Sequence, residues 1–449
     1  MFRRLLAISL TLAAAVGLFN VVNFPTLRVG ETAKPQIVEV KPKKPTLICP
    51  GPIFVNGGAN GVTLGSFARS GSVKIAGNNP NTNSPATAST EIVVPGSESG
   101  SKVTSGIQVQ LSNTKQSFGL AAANCLPGIS QGWLVAGDNN IGRETLLVLA
   151  NSSGVDATVA IQIFGTSGPI QGAGLSGISA PAHKVTVLPL AAFAPKAQTF
   201  SVEVTSRGAE LGMWLQQKTV KGLNPTGLDL IGLSASPSKR LELPGLEISG
   251  AAALSKIFAT DPTEADLKPV LRITSTGDKA TNFTAQIQGS SSGAFGTVVQ
   301  GTIPAKSTRD FSLEELTDGD YAIHIDASAP VVASVRFSRS SGKKTDFAWA
   351  PAVAATKLDA GLTAPIGVSS KLSLVNSSSK ATQVFLNART ISLLPNSSAV
   401  VSLTAGTSYS LKSAGLVSAS QLIEDQGTIA VVPIQDYRTV GGQLNITVR

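Results

Sequence analysis

Residues 146–214 carry the pattern that decides the fold: LLVLANSS (146–153), DATVAIQI (156–163), ISAPAHKVTVLPL (178–190) and FSVEVTS (200–206). In DATVAIQI, Val159, Ile161 and Ile163 alternate with smaller or polar residues, and a period of two is typical of a strand with one buried face. Small polar residues and Pro181 separate these runs, as expected for turns. The stretch therefore predicts short antiparallel strands joined by tight turns.

The same pattern recurs twice further along the chain, around the pairs Ala157-Thr158, Ala280-Thr281 and Ala381-Thr382. The three alanines are 123 and 101 residues apart. These offsets exceed the roughly 20–50 residues of a solenoid repeat or propeller blade. They suit a whole β-sandwich of about 100 residues. We therefore predict an all-β protein with three tandem antiparallel, immunoglobulin-like sandwich domains after a single N-terminal membrane helix.

Turn motifs and changes in composition suggest the boundaries of these parts. Pro-Gly and Pro-Ile turns open the predicted domains, and proline alternates with lysine before the first of them. The predicted segments are a signal anchor or signal peptide (1–24), a Pro/Lys-rich spacer (25–48), a first sandwich with an N-terminal elaboration (49–240), a second sandwich (241–356) and a third (357–449).

The amino terminus predicts export from the cytoplasm. Residues 1–4 are basic, and residues 5–22 contain no charge. As a helix, this run extends about 27 Å, close to the bilayer core of about 30 Å. A cleaved signal peptide, with its cleavage site near residues 13–15, is the alternative. We expect an uncleaved anchor with the bulk of the chain outside the membrane, and a secreted protein if the segment is cleaved.

Composition limits the classes of partner. Only 14% of the 449 residues are charged and 5% are aromatic, yet the formal net charge is +9. A basic protein attracts anionic surfaces, although scattered solubilising charge explains the same balance. The densest basic run is Arg336, Arg339, Lys343 and Lys344, in a predicted Ser/Gly turn, and these are candidate anion-binding residues. Without stacking aromatics or a recognised module, we expect no nucleic-acid binding.

Cys49 and Cys125 are the two cysteines of the chain. An exported chain enters an oxidising compartment, where disulfides form and persist. Both residues lie in turn contexts, Cys-Pro-Gly-Pro and Cys-Leu-Pro-Gly. We predict a bond between them that closes a loop of about 75 residues and contributes roughly 3–5 kcal/mol.

Two glycine-rich segments match catalytic or cofactor motifs only in their letters. Residues 289–293 (GSSSG) match a nucleophile elbow, and residues 172–177 (GAGLSG) match a dinucleotide fingerprint. Each motif requires a helix directly after it. A loop follows the first segment and a predicted strand follows the second. We interpret both as turns and predict no catalytic site and no cofactor.

The remaining polar and aromatic candidates are also explained by structure. His183 lies in a turn, and His324 alternates away from the apolar face of its strand, so we expect both at the surface. The aspartates 318, 320 and 326 offer oxygen ligands that a calcium ion prefers, although acidic turns are common. The tryptophans 133, 214 and 349 lie in apolar strands and are expected in the core rather than as sugar-stacking platforms.

Several of these motifs together resemble a known family. They are Cys49-Pro50-Gly51-Pro52, Cys125 with Pro127, Trp133 with Gly137, the strand at 146–151, Gly165 with Gly168, and Pro181-Ala182. The chain resembles an uncharacterised family of exported, membrane-anchored actinobacterial proteins known only as a domain of unknown function. The resemblance implies a location in the cell envelope and a link to envelope glycan assembly through a membrane glycosyltransferase.

These observations favour a non-catalytic, membrane-anchored extracytoplasmic protein that binds or scaffolds. Its expected partner is a membrane protein of the cell envelope, such as a glycosyltransferase, or an anionic wall polymer. Two alternatives stay open. One is a glycan-active enzyme, which requires two carboxylates about 5–10 Å apart in a cleft. The other is an adhesin or surface-layer subunit.

Overall fold

The computed structural model describes residues 36–39, 46–57, 63–77, 90–93, 105–260, 267–290, 296–313, 316–341, 344–435 and 443–446. Most of these residues lie in antiparallel β-strands, which confirms the predicted all-β class. The predicted membrane segment and most of the predicted spacer lie outside the described residues.

The N-terminal part of the chain, before the first repeat, is itself built mainly of strands. Its strands are β1 (Gln36–Glu39), β2 (Thr46–Cys49), β3 (Phe54–Gly57), β4 (Thr63–Arg69), β5 (Lys74–Gly77), β6 (Thr90–Val93), β7 (Gly106–Asn113) and β8 (Phe118–Asn124).

The first repeat follows directly. Its strands are β9 (Gln131–Leu134), β10 (Arg143–Ala150), β11 (Ala157–Gly165), β12 (Gly168–Ile170), β13 (Ile178–Ala180), β14 (Val185–Pro189), β15 (Ser201–Arg207), β16 (Gly212–Lys221) and β17 (Asn224–Ile231).

The second repeat adds one helix, α1 (Ala251–Thr260), after its first strand. Its strands are β18 (Ser238–Ile248), β19 (Val270–Ser275), β20 (Thr281–Gly289), β21 (Thr297–Ile303), β22 (Thr308–Ser312), β23 (Gly319–Ser341) and β24 (Lys344–Pro351). The predicted boundary at 240/241 falls inside β18.

The third repeat begins at the residue before the predicted boundary at 356/357. Its strands are β25 (Thr356–Thr363), β26 (Ser369–Asn376), β27 (Thr382–Leu386), β28 (Arg389–Leu393), β29 (Ser397–Leu403), β30 (Ser408–Asp425) and β31 (Thr428–Ile434). The last described strand, β32 (Gln443–Ile446), pairs antiparallel with β1 in a separate two-stranded unit.

The three repeats share one strand order. We call one sheet of each repeat the axial sheet: β14-β10-β16-β17 in the first, with β22-β19-β23-β24 and β29-β26-β30-β31 as its counterparts. The other is the lateral sheet, β12-β11-β15-β9, with counterparts built on β20 and β27. In the later repeats, β23 and β30 are long enough to cross from the lateral to the axial sheet. The first repeat breaks at this point, where Gly208 adopts a φ of 94° and separates β15 from β16.

Equivalent turns use equivalent chemistry. In the first repeat, Asn151 Nδ2 donates to the carbonyls of Val155 and Ala180, at 2.9 and 2.8 Å. In the third, Asn376 Nδ2 donates to the carbonyls of Lys380 and Leu394, also at 2.9 and 2.8 Å. The predicted proline turns are equivalent too, since each contains a left-handed residue. These residues are His183, Lys306 and Asn396, with φ of 55°, 50° and 47°.

The last strand of each axial sheet packs beside its counterparts, and β8 joins them to complete a ring of β8, β17, β24 and β31. The buried Asp346 of β24 shows how closely these strands approach. Its Oδ2 accepts hydrogen bonds from the backbone N–H groups of Leu120 (3.0 Å) and Ile429 (3.1 Å), and its Oδ1 accepts one from Leu228 (3.1 Å). The last residues of β8 and β31 and the residues after β17 line one small cavity together, so these strands finish at the same end of the ring.

The cores of the repeats interlock around this ring. Phe347 and Trp349 of β24 pack into the core of the first repeat, and Ile429 and Val431 of β31 pack into that of the second. The sheet β5-β7-β8 packs against the third repeat through Ile107, Val109, Leu120 and Ala122. The N-terminal residues therefore belong to both the first and the third repeats, rather than to the first alone.

Candidate functional site

A cleft of about 640 Å³ opens at the end of the ring where the axial strands finish. It is lined by residues that follow β17 (233–237), by residues that follow β24 (353, 354 and 356) and by residues at the end of β31 (434 and 435). The first repeat closes the opposite side with residues 129 and 131–133. A ligand in this axial cleft would contact all three repeats.

The wall that the first repeat contributes is apolar and preformed. The rings of Trp133 and Phe164 lie 5.0 Å apart between centroids, and both side chains are buried. The backbone N–H of Ser234 donates to the carbonyl of Trp133 at 2.9 Å, which fixes β9 beside the segment that links the first and second repeats. Leu233 and Val353 extend this apolar wall.

The rim of the cleft is polar, and both of its charged side chains have hydrogen-bond or ion-pair partners. Gln131 Nε2 donates to Glu203 Oε1 at 2.7 Å. Lys306 Nζ lies 2.6 Å from Asp278 Oδ1, and this ammonium lowers the pKa of Asp278. Gln162, a further rim residue, is exposed. The cleft therefore offers amide and hydroxyl hydrogen bonding above an apolar surface, which is the usual composition of a binding site.

Glu203 is the one carboxylate among the described residues that line the axial cleft. Hydrolysis of a glycosidic bond generally uses two carboxylates on opposite sides of that bond. The chemistry that this arrangement supports is recognition through hydrogen bonds and apolar contact.

The candidate anion-binding residues lie in different environments. Arg336 is buried on β23, with its guanidinium 5.9 Å from the centroid of Trp349, and burial lowers its pKa to about 10. Lys344 is exposed, with its Nζ 4.8 Å from the ring centroid of Phe118. Lys343 lies outside the described residues. Anion binding by this set stays a prediction, and the expected Ser/Gly turn is in fact a strand at Arg336.

Arg339 forms a square of charges with Glu247, Glu424 and Lys371. Its Nη2 lies 3.1 Å from Glu247 Oε2 and its Nη1 lies 2.8 Å from Glu424 Oε2, while Lys371 Nζ is 3.0 Å from each glutamate. Burial raises the pKa of Glu247. Burial acts in the same direction on Glu424, but its hydrogen bond to Glu247 and its two cations bring its pKa down to about 2. This ion-pair square joins the second repeat to the third.

His324 is half-buried between two carboxylates. Its Nδ1 lies 2.6 Å from Glu242 Oε1 and its Nε2 lies 2.9 Å from Asp326 Oδ2. The hydrogen bond to Glu242 raises the pKa of His324, against the opposing effect of burial. The expectation of a surface residue therefore missed a buried partner, because Glu242 comes from β18, far away in sequence. His183 is exposed in its turn, as expected.

The three candidate calcium ligands do not converge. Asp318 Oδ1 accepts the backbone N–H of Ala251 at 2.7 Å at the start of α1. Asp320 and Asp326 are six residues apart on β23, and a strand advances about 3.3 Å per residue. Within the described ranges, no group of three or more His, Cys, Asp or Glu side chains is placed to hold a metal ion.

Other sequence predictions agree with the structure. Cys49 and Cys125 form a disulfide with an S–S distance of 2.01 Å. The tryptophans 133, 214 and 349 are buried. Residues 172–177 lead into β13 and not into a helix. Of the segment 289–293, only Gly289 and Ser290 lie within the described residues, and Ser290 Oγ hydrogen-bonds Ser398 Oγ at 2.6 Å.

Comparison with known proteins gives a family for this architecture. A model described as a family of unknown function (DUF5719) matches residues 81–414, which include the first two repeats and most of the third. The chain belongs to this family. The predicted resemblance to a family known only as a domain of unknown function is therefore confirmed.

The other comparisons add little to this DUF5719 assignment. No curated protein matches the chain. A solved structure titled "Crystal Structure of Thermotoga maritima 1070" is similar at a TM-score of 0.21 and 13% identity, over 26% of this chain and 92% of that one. Within the described part of this DUF5719 chain, we find no helix with the length and apolar character needed to cross a bilayer.

Sequence reasoning missed a set of buried glutamines that hold the Cys-Pro-Gly-Pro segment. Gln108 accepts from the N–H and donates to the carbonyl of Gly51, both at 2.8 Å. Gln216 does the same with Phe54, both at 2.7 Å. Each side-chain amide thus makes the two hydrogen bonds to one backbone residue that a neighbouring strand would otherwise make. Gln108 shares its strand face with Gln110 and Ser112, so alternation in the sequence would place this face in solvent, whereas all three side chains are buried.

Proposed function

We propose that this DUF5719 protein is a non-catalytic, extracytoplasmic binding or scaffold protein of the bacterial cell envelope, and that the axial cleft is its binding site. The observation that carries the proposal is the cleft itself, which is preformed, apolar on one wall, polar at its rim and lined by all three repeats. A preformed site favours binding, because less free energy is then lost in ordering the protein around the ligand.

The proposal includes a finer architecture and a location. Three tandem immunoglobulin-like sandwiches, each made of an axial and a lateral sheet, form the extracytoplasmic body. Residues 5–22 anchor this body to the membrane as a single pass, and a secreted form results if that segment is cleaved. The support for export is the apolar run in the sequence, together with the disulfide between Cys49 and Cys125.

The partner that we propose is a membrane protein of the envelope that assists glycan assembly, such as a glycosyltransferase. An anionic wall polymer is the second candidate. The paired charges at the cleft rim favour the protein partner at this site, because an anionic polymer needs unpaired cations. Lys306, the one cation among the described residues that line the cleft, already pairs with Asp278.

Site-specific photo-crosslinking in cells tests this proposal. A photoreactive residue at Gln131, which is exposed at the cleft rim, is expected to capture one stoichiometric membrane protein. The matched control places it at Gln383, an exposed glutamine on β27 away from the cleft. Capture of the same proteins from both positions, or of none from Gln131, would contradict binding at the cleft.

The glycan-active alternative has one observation in its favour. Glu247 and Glu424 lie together, and Glu424 borders a second cavity of about 520 Å³. Both carboxylates, however, are held by Arg339 and Lys371, so neither is positioned to protonate a leaving group. Hydrolysis of envelope glycans that disappears in Glu424→Gln would revive the enzyme alternative. An adhesin or surface-layer subunit instead predicts self-association, which light scattering would detect.

A further inference from the structure

A second surface lies at the end of the ring opposite the axial cleft. We call it the tip face and define it as residues 113–118, 140–143, 221–224 and 344–345. Hydrogen bonds between Thr345 Oγ1 and the carbonyl of Thr226 (3.2 Å) and between Lys344 Nζ and Asn113 Oδ1 (3.3 Å) join its hairpins. These hairpins precede β8, β17 and β24, and Asp346 of β24 accepts backbone hydrogen bonds from Leu120 of β8 and Leu228 of β17. The tip face is therefore one connected surface.

Two aliphatic side chains project from this face almost completely into solvent. Ile141 is 90% exposed and Leu223 is 93% exposed, whereas Leu394, elsewhere in the third repeat, is 69% exposed. They lie on neighbouring turns, because the N–H of Val220 donates to the carbonyl of Gly142 at 2.8 Å and Arg143 pairs with Thr219. Packing within the described chain accounts for neither side chain.

Lysines surround these aliphatic residues. Lys115, Lys221 and Lys344 are all exposed on the tip face. The tip face therefore combines positive charge with protruding apolar groups.

We propose that the tip face docks on the surface of an anionic lipid bilayer. Ile141 and Leu223 enter the interfacial region, and Lys115 and Lys344 contact the headgroups. Interfacial binding depends on buried apolar area together with attraction to anionic lipids, and lysine stems reach headgroups while apolar neighbours insert. An anionic polymer in water explains the lysines, but it gives the two aliphatic side chains no apolar environment.

The test uses the full chain with a fluorophore attached at one position, so that the signal reports the environment of that position alone. Leu223→Cys provides a unique thiol, because both native cysteines are joined in the disulfide. It is labelled with an environment-sensitive fluorophore and mixed with vesicles of phosphatidylcholine containing phosphatidylglycerol, or of phosphatidylcholine alone. We expect a blue shift and a rise in intensity of about twofold or more with the anionic vesicles. A quencher attached to lipid chains should reduce this signal.

The control is the same label at Leu394→Cys, which lies beside Ser397 at the end of β26 and so away from the tip face. Its emission should remain that of water with both kinds of vesicle. The double variant Lys115→Glu, Lys344→Glu should abolish the response at Leu223→Cys, with an unchanged melting temperature. Equal responses at positions 223 and 394, or a response that the lysine variant does not reduce, would overturn the proposal. The proposal would also be overturned if the protein bound an anionic wall polymer but not vesicles, and if this binding persisted in Ile141→Ser.

Discussion

A buried carboxylate, Asp346, connects the four central strands of this protein. Its two oxygens accept backbone N–H groups from β8, β17 and β31. Asp229, also buried, accepts the N–H of Trp349 at 2.7 Å, and the neighbouring charge of Asp346 adds to burial in raising the pKa of Asp229. Polar groups therefore fix the register of strands whose contacts are otherwise apolar.

The pH dependence of stability should reveal Asp346. Burial raises its pKa to about 8, although the surrounding N–H groups oppose this effect. In the unfolded chain the pKa is about 4, so the folded state keeps a proton that the unfolded state has lost between about pH 4 and 8. The stabilisation that this bound proton gives the folded state is complete below pH 4, and it is lost as the pH rises through 8. Relative to Asp346→Asn, the native protein should lose up to about 1.4 kcal/mol per pH unit over this range.

Chemical denaturation from pH 4 to 9 measures this difference. The matched control is Asp278→Asn, because Asp278 is exposed and its pKa is lowered rather than raised. Parallel stability curves for the native protein and Asp346→Asn would show that Asp346 does not hold its proton in the folded state.

At the scale of elements, charged side chains join one repeat to the next. The ion-pair square links β18 and β23 of the second repeat to β26 and β30 of the third. A similar role between the first and second repeats belongs to Arg272, whose Nη1 donates to the carbonyl of Gly137 at 2.7 Å while its Nε pairs with Asp310 at 2.7 Å. These contacts hold neighbouring repeats together through charged groups as well as through apolar packing.

Removing Arg339 should destabilise the protein by about 2–4 kcal/mol, because two largely buried carboxylates then share one cation, Lys371. Since the pKa of Glu424 is lowered to about 2, its contribution is present above the unfolded pKa of about 4.3 and is lost as the pH falls toward 2. Arg339→Met should therefore also flatten the acid limb of the stability curve. Denaturation at pH 3 and pH 7 measures both effects.

Lys412→Met provides the control for Arg339→Met. The Lys412 side chain is 59% exposed, and its Nζ lies 3.7 Å from Asp359. An exposed ion pair contributes about 0–1 kcal/mol. If both variants lose the same stability, the ion-pair square is no more than surface charge.

At the scale of the whole molecule, the repeats should not unfold independently, since β24 packs into the core of the first repeat and β31 into that of the second. Trp349 of β24 packs in the core of the first repeat, and its Nε1 donates to Gln217 Oε1 at 2.8 Å. Trp349→Ala should cost about 3–5 kcal/mol and should reduce hydrogen-exchange protection in β10 and β16 as well as in β23 and β24.

Phe385→Ala is the matched aromatic truncation, because Phe385 is 37% exposed on β27, in the lateral sheet of the third repeat. Its effect should be small and confined to the third repeat. If Trp349→Ala loosens only β23 and β24, the sandwiches are independent domains and the interlocked ring is not a cooperative unit.

Local patterns explain what could be predicted. Alternation at 156–163 and its counterparts indicated the strands, and the Pro turns indicated their ends, because both signals depend on neighbouring residues only. The disulfide was predicted from two cysteines in turn contexts, in a chain expected to be exported. The pairing of His324 with Glu242 could not be predicted, since the two residues are 82 positions apart and belong to different strands.

The sequence by itself thus determined the strand content, the repeated strand pattern and the disulfide of this DUF5719 protein. Only the tertiary structure decided that β8 completes a ring with the three axial strands, that Asp346 lies at its centre, and that the axial cleft and the tip face lie at its two ends. The physical reason is the distance along the chain over which each interaction operates. Strand periodicity and turn preference depend on residues that are close together in sequence. By contrast, Asp346 contacts Leu120, which is 226 residues away, only once the sheets have packed.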